Sequence, residues 1–405
     1  MALLGQTPTP EAELRAPSAF AVSVESGHKL RSAFEHLYNL EFSAGRNLFR
    51  DVVAAEPDSA TARAFLASAL LYEILARQGT LQSQLFMTSN KFLGQSRPLP
   101  DPEFKRHFQG VVEEAQRLAR QRLKGNPRDA DGLFALGLTY ANLANYAVAV
   151  EGKHFYGVRQ GEKAYKYHKK LRRLHPEIHD TGVVLGVHDY VTGSLPRMHR
   201  FFLFFLGATG NRQRGLEYLE VAAERGEFLR TYARVLLAVA RIREGELEGA
   251  ARVLETLHAD YPRNSLFSLE LARLYRTQRR YRQAVQACRE LVAELIIPPT
   301  SPRILGPEDA FLELGRAEAA AGNLDAALES FHQVVQIDSA DKKVITWALL
   351  EQGQIFDQRG EREKALSEYE HVIRLAADPE AIRLANAHKE APYRAKGVSH
   401  REVGP

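Results

Sequence analysis

The chain has 405 residues, and its 54 Lys and Arg nearly balance its 50 Asp and Glu, so the formal net charge is only +4. The length indicates two to three packing units, an apolar content of 45 % excludes a wholly disordered chain, and the charge balance does not require a nucleic-acid partner. The single cysteine, Cys288, excludes a disulfide framework and a cysteine-rich zinc site.

Both ends of the chain predict mobile tails. Residues 1–26 are rich in Pro, Thr, Ala and Ser, and residues 388–405 show no sustained helical period. The first residues have neither a basic start nor a full apolar stretch, so no signal peptide is predicted and the chain as it stands is expected in the cytoplasm. If the start were a truncated signal peptide, the protein would instead be periplasmic or exported.

Residues 27–228 predict divergent helical pairs with inserts. Helices are expected over 41–58, 61–78, 103–124, 130–150 and 160–174, with small crossing residues that include Gly45, Ala115, Gly137 and Ala164. Inserts are predicted at 79–102 and 146–160, and the extra residues of the second suggest helices longer than the norm. The last unit, 178–226, is expected to be interrupted at 193–196, because a proline cannot continue a helix without losing a hydrogen bond.

Residues 229–387 predict a regular array, because four segments share one layout. Each has a small residue within its first helix (Ala238, Ala272, Gly315, Gly353) and a second one opening its second helix (Ala250, Ala284, Ala327, Ala365). A larger residue follows four positions later (Leu254, Cys288, Phe331, Tyr369), and three of the turns contain a glycine (Gly245, Gly322, Gly360). Antiparallel helices approach closely only where side chains are small, so these positions predict stacked helical hairpins.

This layout resembles the tetratricopeptide repeat (TPR) family, whose repeat places small and large residues at these offsets. The resemblance implies an all-α fold: a right-handed α-solenoid of about seven to eight helical hairpins, irregular in its N-terminal half. Residues 178–226 also resemble a TPR subgroup that includes a fungal mitochondrial inclusion-clearance protein. That local resemblance implies no activity.

The sequence carries no standard catalytic signature: phosphate-loop, dinucleotide-fingerprint, zinc-protease and nucleophile-elbow patterns are all missing. Four histidines, His175, His179, His188 and His199, crowd one region, but Pro176 and their spacing do not favour a zinc site. We therefore predict no catalytic residue, no metal and no cofactor, and expect a protein that is not an enzyme. The alternative is an accessory subunit or enzyme with a site in the irregular 150–210 region, around residues 154–199.

Two segments each allow a structural and a functional interpretation. The basic stretch 163–173 is interpreted as the solvated side of a helix whose buried stripe contains Ala164, Tyr167, Leu171 and Leu174. RNA or phosphate binding is its functional interpretation. The apolar run 201–206 is too short to span a membrane and is interpreted as a buried helix face, with contact at a membrane surface as the functional interpretation.

The TPR resemblance implies a non-catalytic scaffold or adaptor that binds a peptide or helix of a protein partner in the concave groove of first helices. By the family's register the groove residues are Tyr232, Arg273, Arg276, Arg316, Trp347, Gln354 and Asp357. The Lys and Asn set of chaperone carboxylate clamps is not reproduced. Three arginines among aliphatic residues favour an apolar segment with acidic flanks. The partner's identity and the oligomeric state stay open, and nucleic acid is not the expected partner.

Overall fold

The structure, a computed structural model, describes residue 20 and residues 22–78, 101–194, 210–297 and 303–394. Every regular element among these residues is an α-helix, and consecutive helices form antiparallel pairs. The eight pairs are Val24–Tyr38 with Phe42–Ala55, Ala60–Arg77 with Pro102–Gly125, Ala130–Ala149 with His154–Leu174, Thr181–Ser194 with Arg212–Arg225, Arg230–Glu244 with Leu247–Asp260, Ser265–Thr277 with Tyr281–Leu295, Pro307–Ala320 with Leu324–Gln336, and Lys342–Gln358 with Arg362–Leu375. Helix Pro379–Glu390 follows the last pair. The predicted all-α, TPR-like fold of seven to eight hairpins is confirmed.

The small residues lie at the helix crossings. A Cβ atom added to Gly353 would lie 2.5 Å from Cε1 of Tyr369, and one added to Gly315 would lie 2.4 Å from Cε1 of Phe331. Atoms this close overlap strongly, since carbon atoms in contact are normally about 3.5–4.0 Å apart. The large side chain of each second helix therefore fills the space that the missing side chain of the first helix leaves open.

The turns within the regular pairs use left-handed backbone. Gly245, Gly322 and Gly360 have φ angles of 78°, 87° and 75°, a conformation that glycine adopts without steric cost. The remaining pair has no glycine at this position, and Arg279 adopts φ 60° in its turn. The three turn glycines identified in the sequence therefore end their first helices as predicted.

The chain forms two compact units, residues 1–264 and 265–405. This division falls after the pair Arg230–Glu244 and Leu247–Asp260, whereas the sequence placed the start of the regular array at residue 229. The sequence boundary marks where the repeat pattern becomes regular, and the structural boundary separates two units that are each compact.

The first unit brings its first helix against its last turn. The Nδ2 atom of Asn264 donates a hydrogen bond of 2.6 Å to the backbone oxygen of Tyr38, and the Tyr38 ring lies 5.5 Å from that of Tyr261. An ion pair of 3.3 Å joins Arg31 to Glu227. These contacts connect residues about 200 positions apart, so the stacked pairs of the first unit close on themselves.

Several predicted boundaries shift. Helix His154–Leu174 begins six residues before the predicted start, so only residues 150–153 separate it from Ala130–Ala149, and the predicted insert at 146–160 is extra helix. The first helix begins at Val24, inside the predicted N-terminal tail. Residues 1–19, 79–100 and 195–209 lie outside the described residues, and with them most of that tail, nearly all of the insert at 79–102, Pro196 and the apolar run 201–206.

The sequence did not separate the closing helix, Pro379–Glu390, from the last repeat. Asp378 caps it, with its Oδ1 atom accepting hydrogen bonds of 3.1 and 3.0 Å from the backbone N–H groups of Glu380 and Ala381, and a proline occupies the first position. The helix passes the predicted boundary at 387, and residues 395–405 lie outside the described part. No helix in the described residues has the length and apolar character needed to cross a bilayer.

Candidate partner-binding site

Three of the predicted groove arginines meet around one buried carboxylate in the second unit. Glu313, with a side chain only 1 % exposed, accepts hydrogen bonds from Nε of Arg276 at 2.7 Å and from Nε of Arg273 at 3.2 Å. Arg316, one turn further along the helix of Glu313, places Nη1 3.8 Å from the same carboxylate. First helices of successive pairs are therefore joined through one glutamate.

Two further carboxylates complete this cluster. Arg273 donates from Nη1 to Glu270 at 2.6 Å, and Arg316 donates from Nε to Glu351 at 2.6 Å. Burial opposes ionisation of Glu313, but the surrounding arginines outweigh it and hold its pKa below the usual range. Burial raises the pKa of Glu270 to about 6, against the pull of Arg273. Three arginines and three glutamates make the cluster formally neutral when all are ionised.

The arginines keep donors for a further ligand. Arg276 uses only Nε in its hydrogen bond to Glu313, and within the described residues its Nη atoms have no hydrogen-bond partner. Its side chain is 32 % exposed. Because Glu313 holds the guanidinium by one edge, the other edge remains available for a two-point hydrogen bond to a carboxylate.

Trp347 supplies an apolar neighbour for these donors. The guanidinium carbon of Arg316 lies 5.8 Å from the centre of the indole ring, and the partly buried ring packs against core residues on both sides. Gln354, half-buried on the same helix, places Nε2 3.4 Å from Nε2 of His388 in the closing helix. We call Arg273, Arg276, Arg316, Trp347 and Gln354 the first-helix face of the second unit.

Asp357 differs from the rest of the predicted set, because its own chain occupies it. Its side chain is fully buried and accepts hydrogen bonds of 2.8 Å from Nη1 of Arg362, the hydroxyl of Tyr369 and the backbone N–H of Tyr393. Asp357 therefore anchors the C-terminal segment and has no free acceptor facing a partner.

Tyr232 lies in the first unit, where it lines a cavity of about 80 Å³. Tyr38, Tyr72 and Asn145 line the same cavity. Burial raises the pKa of Tyr232, while Asn145 acts in the opposite direction. A cavity of this volume is smaller than the roughly 300 Å³ at which small-molecule pockets begin.

The histidines of the irregular region are not brought together. His168 is fully buried in the pair crossing, His175 makes a 3.0 Å contact with the backbone oxygen of Arg128, and His188 contacts Glu162 at 2.7 Å. His199 lies outside the described residues. Among the described residues no cluster of His, Cys, Asp and Glu has a geometry suited to a metal ion.

Sequence reasoning found the arginines but missed the glutamates that orient them. The spacings Glu270–Arg273 and Glu313–Arg316 are i,i+3 pairs on helices, a recognisable signal for side chains that face one another. The link from Glu313 back to Arg276 spans 37 residues and needs the rotation between successive hairpins, which no local pattern contains.

The fold, with its paired helices and small crossing residues, defines a protein of the tetratricopeptide-repeat class. A tetratricopeptide-repeat model matches residues 309–338. Over residues 139–295 the chain matches the family Iml2/Tetratricopeptide repeat protein 39, which confirms the predicted resemblance and extends it on both sides of residues 178–226. No curated protein matches the sequence.

Solved structures with a similar helical architecture include the following three. The human IFIT1 dimer with m7Gppp-AAAA is 15 % identical, with 92 % of this chain and 87 % of that chain covered and a TM-score of 0.43. Yeast Tom70 is 11 % identical (88 % and 87 % covered, TM-score 0.39), and the APC/C hetero-tetramer Cut9-Hcn1 is 12 % identical (92 % and 78 % covered, TM-score 0.35). At these TM-scores we base no argument about function on the likeness.

Proposed function

We propose that the protein is a non-catalytic scaffold that binds a carboxylate-bearing segment of a protein partner on the first-helix face of the second unit. The observation that carries this proposal is the arrangement of Arg276 and Arg316 around Glu313, in which a buried carboxylate orients guanidinium groups and leaves donors facing outward. The proposed segment places its carboxylates against these donors and an apolar side chain beside Trp347.

The neutral charge of the cluster refines the expectation of an acidic partner. Long-range attraction is weak, because Glu270, Glu313 and Glu351 match the three arginines. Recognition then depends on short-range hydrogen bonds of fixed geometry, for which arginine is better suited than lysine. The proposed partner is therefore selected by where its carboxylates lie and less by its total charge.

The test is partner capture with the full chain immobilised and bound polypeptides identified by mass spectrometry. Arg276→Lys keeps a positive charge beside Glu313 but removes the planar fork, so we expect capture of the partner to weaken about tenfold. Arg276→Ala is less informative, because it weakens the counter-charge of buried Glu313 and so threatens the fold itself.

A matched control exists in the same unit. Arg289 donates from Nη2 to buried Glu318 at 2.7 Å but lies on a second helix, so Arg289→Lys makes the same chemical change away from the proposed face. Capture should be retained by Arg289→Lys and reduced by Arg276→Lys and by Trp347→Ala. Equal capture by all four proteins would remove the basis of the proposal.

A further inference from the structure

The outward side of helix His154–Leu174 in the first unit is strongly basic. The helix buries one side against its neighbours through Gly157, Gln160, Ala164, His168 and Leu171. The exposed cations on the remaining surface are Arg159, Lys163, Lys166, Lys169 and Arg173. From Arg159 to Arg173 the helix rises about 21 Å, so the positive charge extends along almost four turns.

These cations have no carboxylate within ion-pair distance among the described residues, in contrast to the arginines of the second unit. Lys163 and Lys169 lie over the rings of Tyr140 and Tyr165, at 5.0 and 5.5 Å, which leaves their charge uncompensated. Two glutamates are nearby: Glu162 bonds to His188 at 2.7 Å, and Glu177 lies 3.3 Å from His175. The basic surface is therefore available to an external anion.

Large apolar side chains are exposed at the start of the same helix. Phe155 is 65 % exposed, Tyr156 is 46 % exposed and Val158 is 37 % exposed. At 100° per residue, Phe155 and Val158 project to the same outward side as Arg159 and Arg173. We call this combined surface, the apolar start and the basic remainder of helix His154–Leu174, the basic-aromatic face.

We propose that the basic-aromatic face binds the surface of an anionic lipid bilayer. Lys and Arg at such a surface are attracted to acidic headgroups, while exposed aromatic and aliphatic side chains insert at the boundary with the acyl chains. A single-stranded nucleic acid would pair with the cations and stack a base on Phe155, but it would leave the aliphatic Val158 in water. The bilayer accounts for both halves of the surface.

The test is flotation of the full chain with vesicles of phosphatidylcholine alone and of phosphatidylcholine mixed with phosphatidylserine. We expect binding to the acidic vesicles only, weakened by added salt. Replacing Lys166 and Arg173 together by serine should lower the partition coefficient about 30-fold, because each cation near the surface contributes a factor of about five. Phe155→Ser should lower it about tenfold by removing the inserted ring.

Matched controls come from exposed positions of the second unit. Lys342→Ser with Lys343→Ser removes the same charge, and Ile297→Ser removes a side chain that is 61 % exposed, so both should bind like the unaltered protein. Thermal melts verify that each variant folds. Absence of flotation, equal losses in the controls, or binding independent of phosphatidylserine would overturn the proposal. Retention of single-stranded poly(U) through Lys166 and Arg173 without flotation would assign the face to nucleic acid instead.

Discussion

Replacing Gly353 by alanine tests how closely the helices of a pair approach. The added Cβ atom would lie 2.5 Å from Cε1 and 2.9 Å from Cδ1 of Tyr369. The Tyr369 ring is fully buried, and its hydroxyl donates a 2.8 Å hydrogen bond to Asp357, so the ring cannot swing away without losing that bond. Either the helices separate or the ring leaves its site.

The expected change in the free energy of unfolding is the cost of overpacking minus the gain from the higher helix propensity of alanine. Overpacking of a filled core costs about 1–3 kcal/mol, and alanine is favoured over glycine within a helix by about 1 kcal/mol. The tied, buried ring of Tyr369 puts Gly353→Ala at the upper end of the first range, so we expect a net loss of about 1–2 kcal/mol. Gly161, also within a helix, has no neighbouring atom within 4 Å of an added Cβ, so Gly161→Ala should stabilise the protein by up to about 1 kcal/mol.

Urea unfolding measures both changes. Trp347 is the only tryptophan and packs within the second unit, so its fluorescence reports on Gly353→Ala, while far-ultraviolet circular dichroism follows Gly161→Ala. With a typical urea dependence, the midpoint for Gly353→Ala should fall by roughly 0.5–1 M. Tyr369→Leu should cost less in the Gly353→Ala background than in the unaltered protein, because the ring is what the new methyl group meets.

The reasoning would be refuted if Gly353→Ala raised the midpoint as Gly161→Ala does. In that case the two helices would have room for a methyl group at their crossing, and the recurring small residues would need another explanation.

Three buried groups give further predictions. Burial lowers the pKa of His168 from 6.5 to about 4, so between these values the unfolded chain binds a proton that the folded chain excludes. The free energy of unfolding should therefore fall by about 2 kcal/mol from about pH 7 to about pH 5. His168→Leu should reduce this pH dependence, measured by urea titrations. An unchanged pH dependence in the variant would contradict this account. Glu313→Gln removes the carboxylate shared by Arg273, Arg276 and Arg316 and should lower the free energy of unfolding by about 3 kcal/mol, measured by tryptophan fluorescence. Lys364→Gln, in an exposed ion pair, should lower it by less than about 1 kcal/mol. Similar losses would show that the cluster is not a stabilising centre. Burial raises the pKa of the Cys288 thiol, so it should resist a thiol reagent until the second unit unfolds in urea, and rapid labelling of the native protein would refute its placement.

The paired helices could be predicted because their determinants are local and repeated. Gly315 and Gly353 precede their large partners, Phe331 and Tyr369, by the same interval along the chain, and each pair meets in the structure. The left-handed turn at Gly360 is similarly visible as a glycine at a fixed offset. Each of these features depends on residues within one repeat.

The arrangement of one repeat on another could not be predicted in the same way. The stacking of successive repeats brings Glu313 into hydrogen-bond contact with Arg276. In the first unit it also brings Asn264 to the backbone oxygen of Tyr38, which closes that unit. These contacts depend on a small rotation between successive pairs that accumulates along the stack, and no single motif records it.

Site-specific photocrosslinking tests the functional proposal most directly. A benzophenone side chain is introduced at Gln354, on the first-helix face of the second unit, or at Gln333, on the second helix Leu324–Gln336 of the same unit. After irradiation with the captured partner, we expect a covalent adduct from position 354 and none from position 333. Adducts of equal yield from both positions, or from position 333 alone, would contradict the claim that the partner binds the first helices.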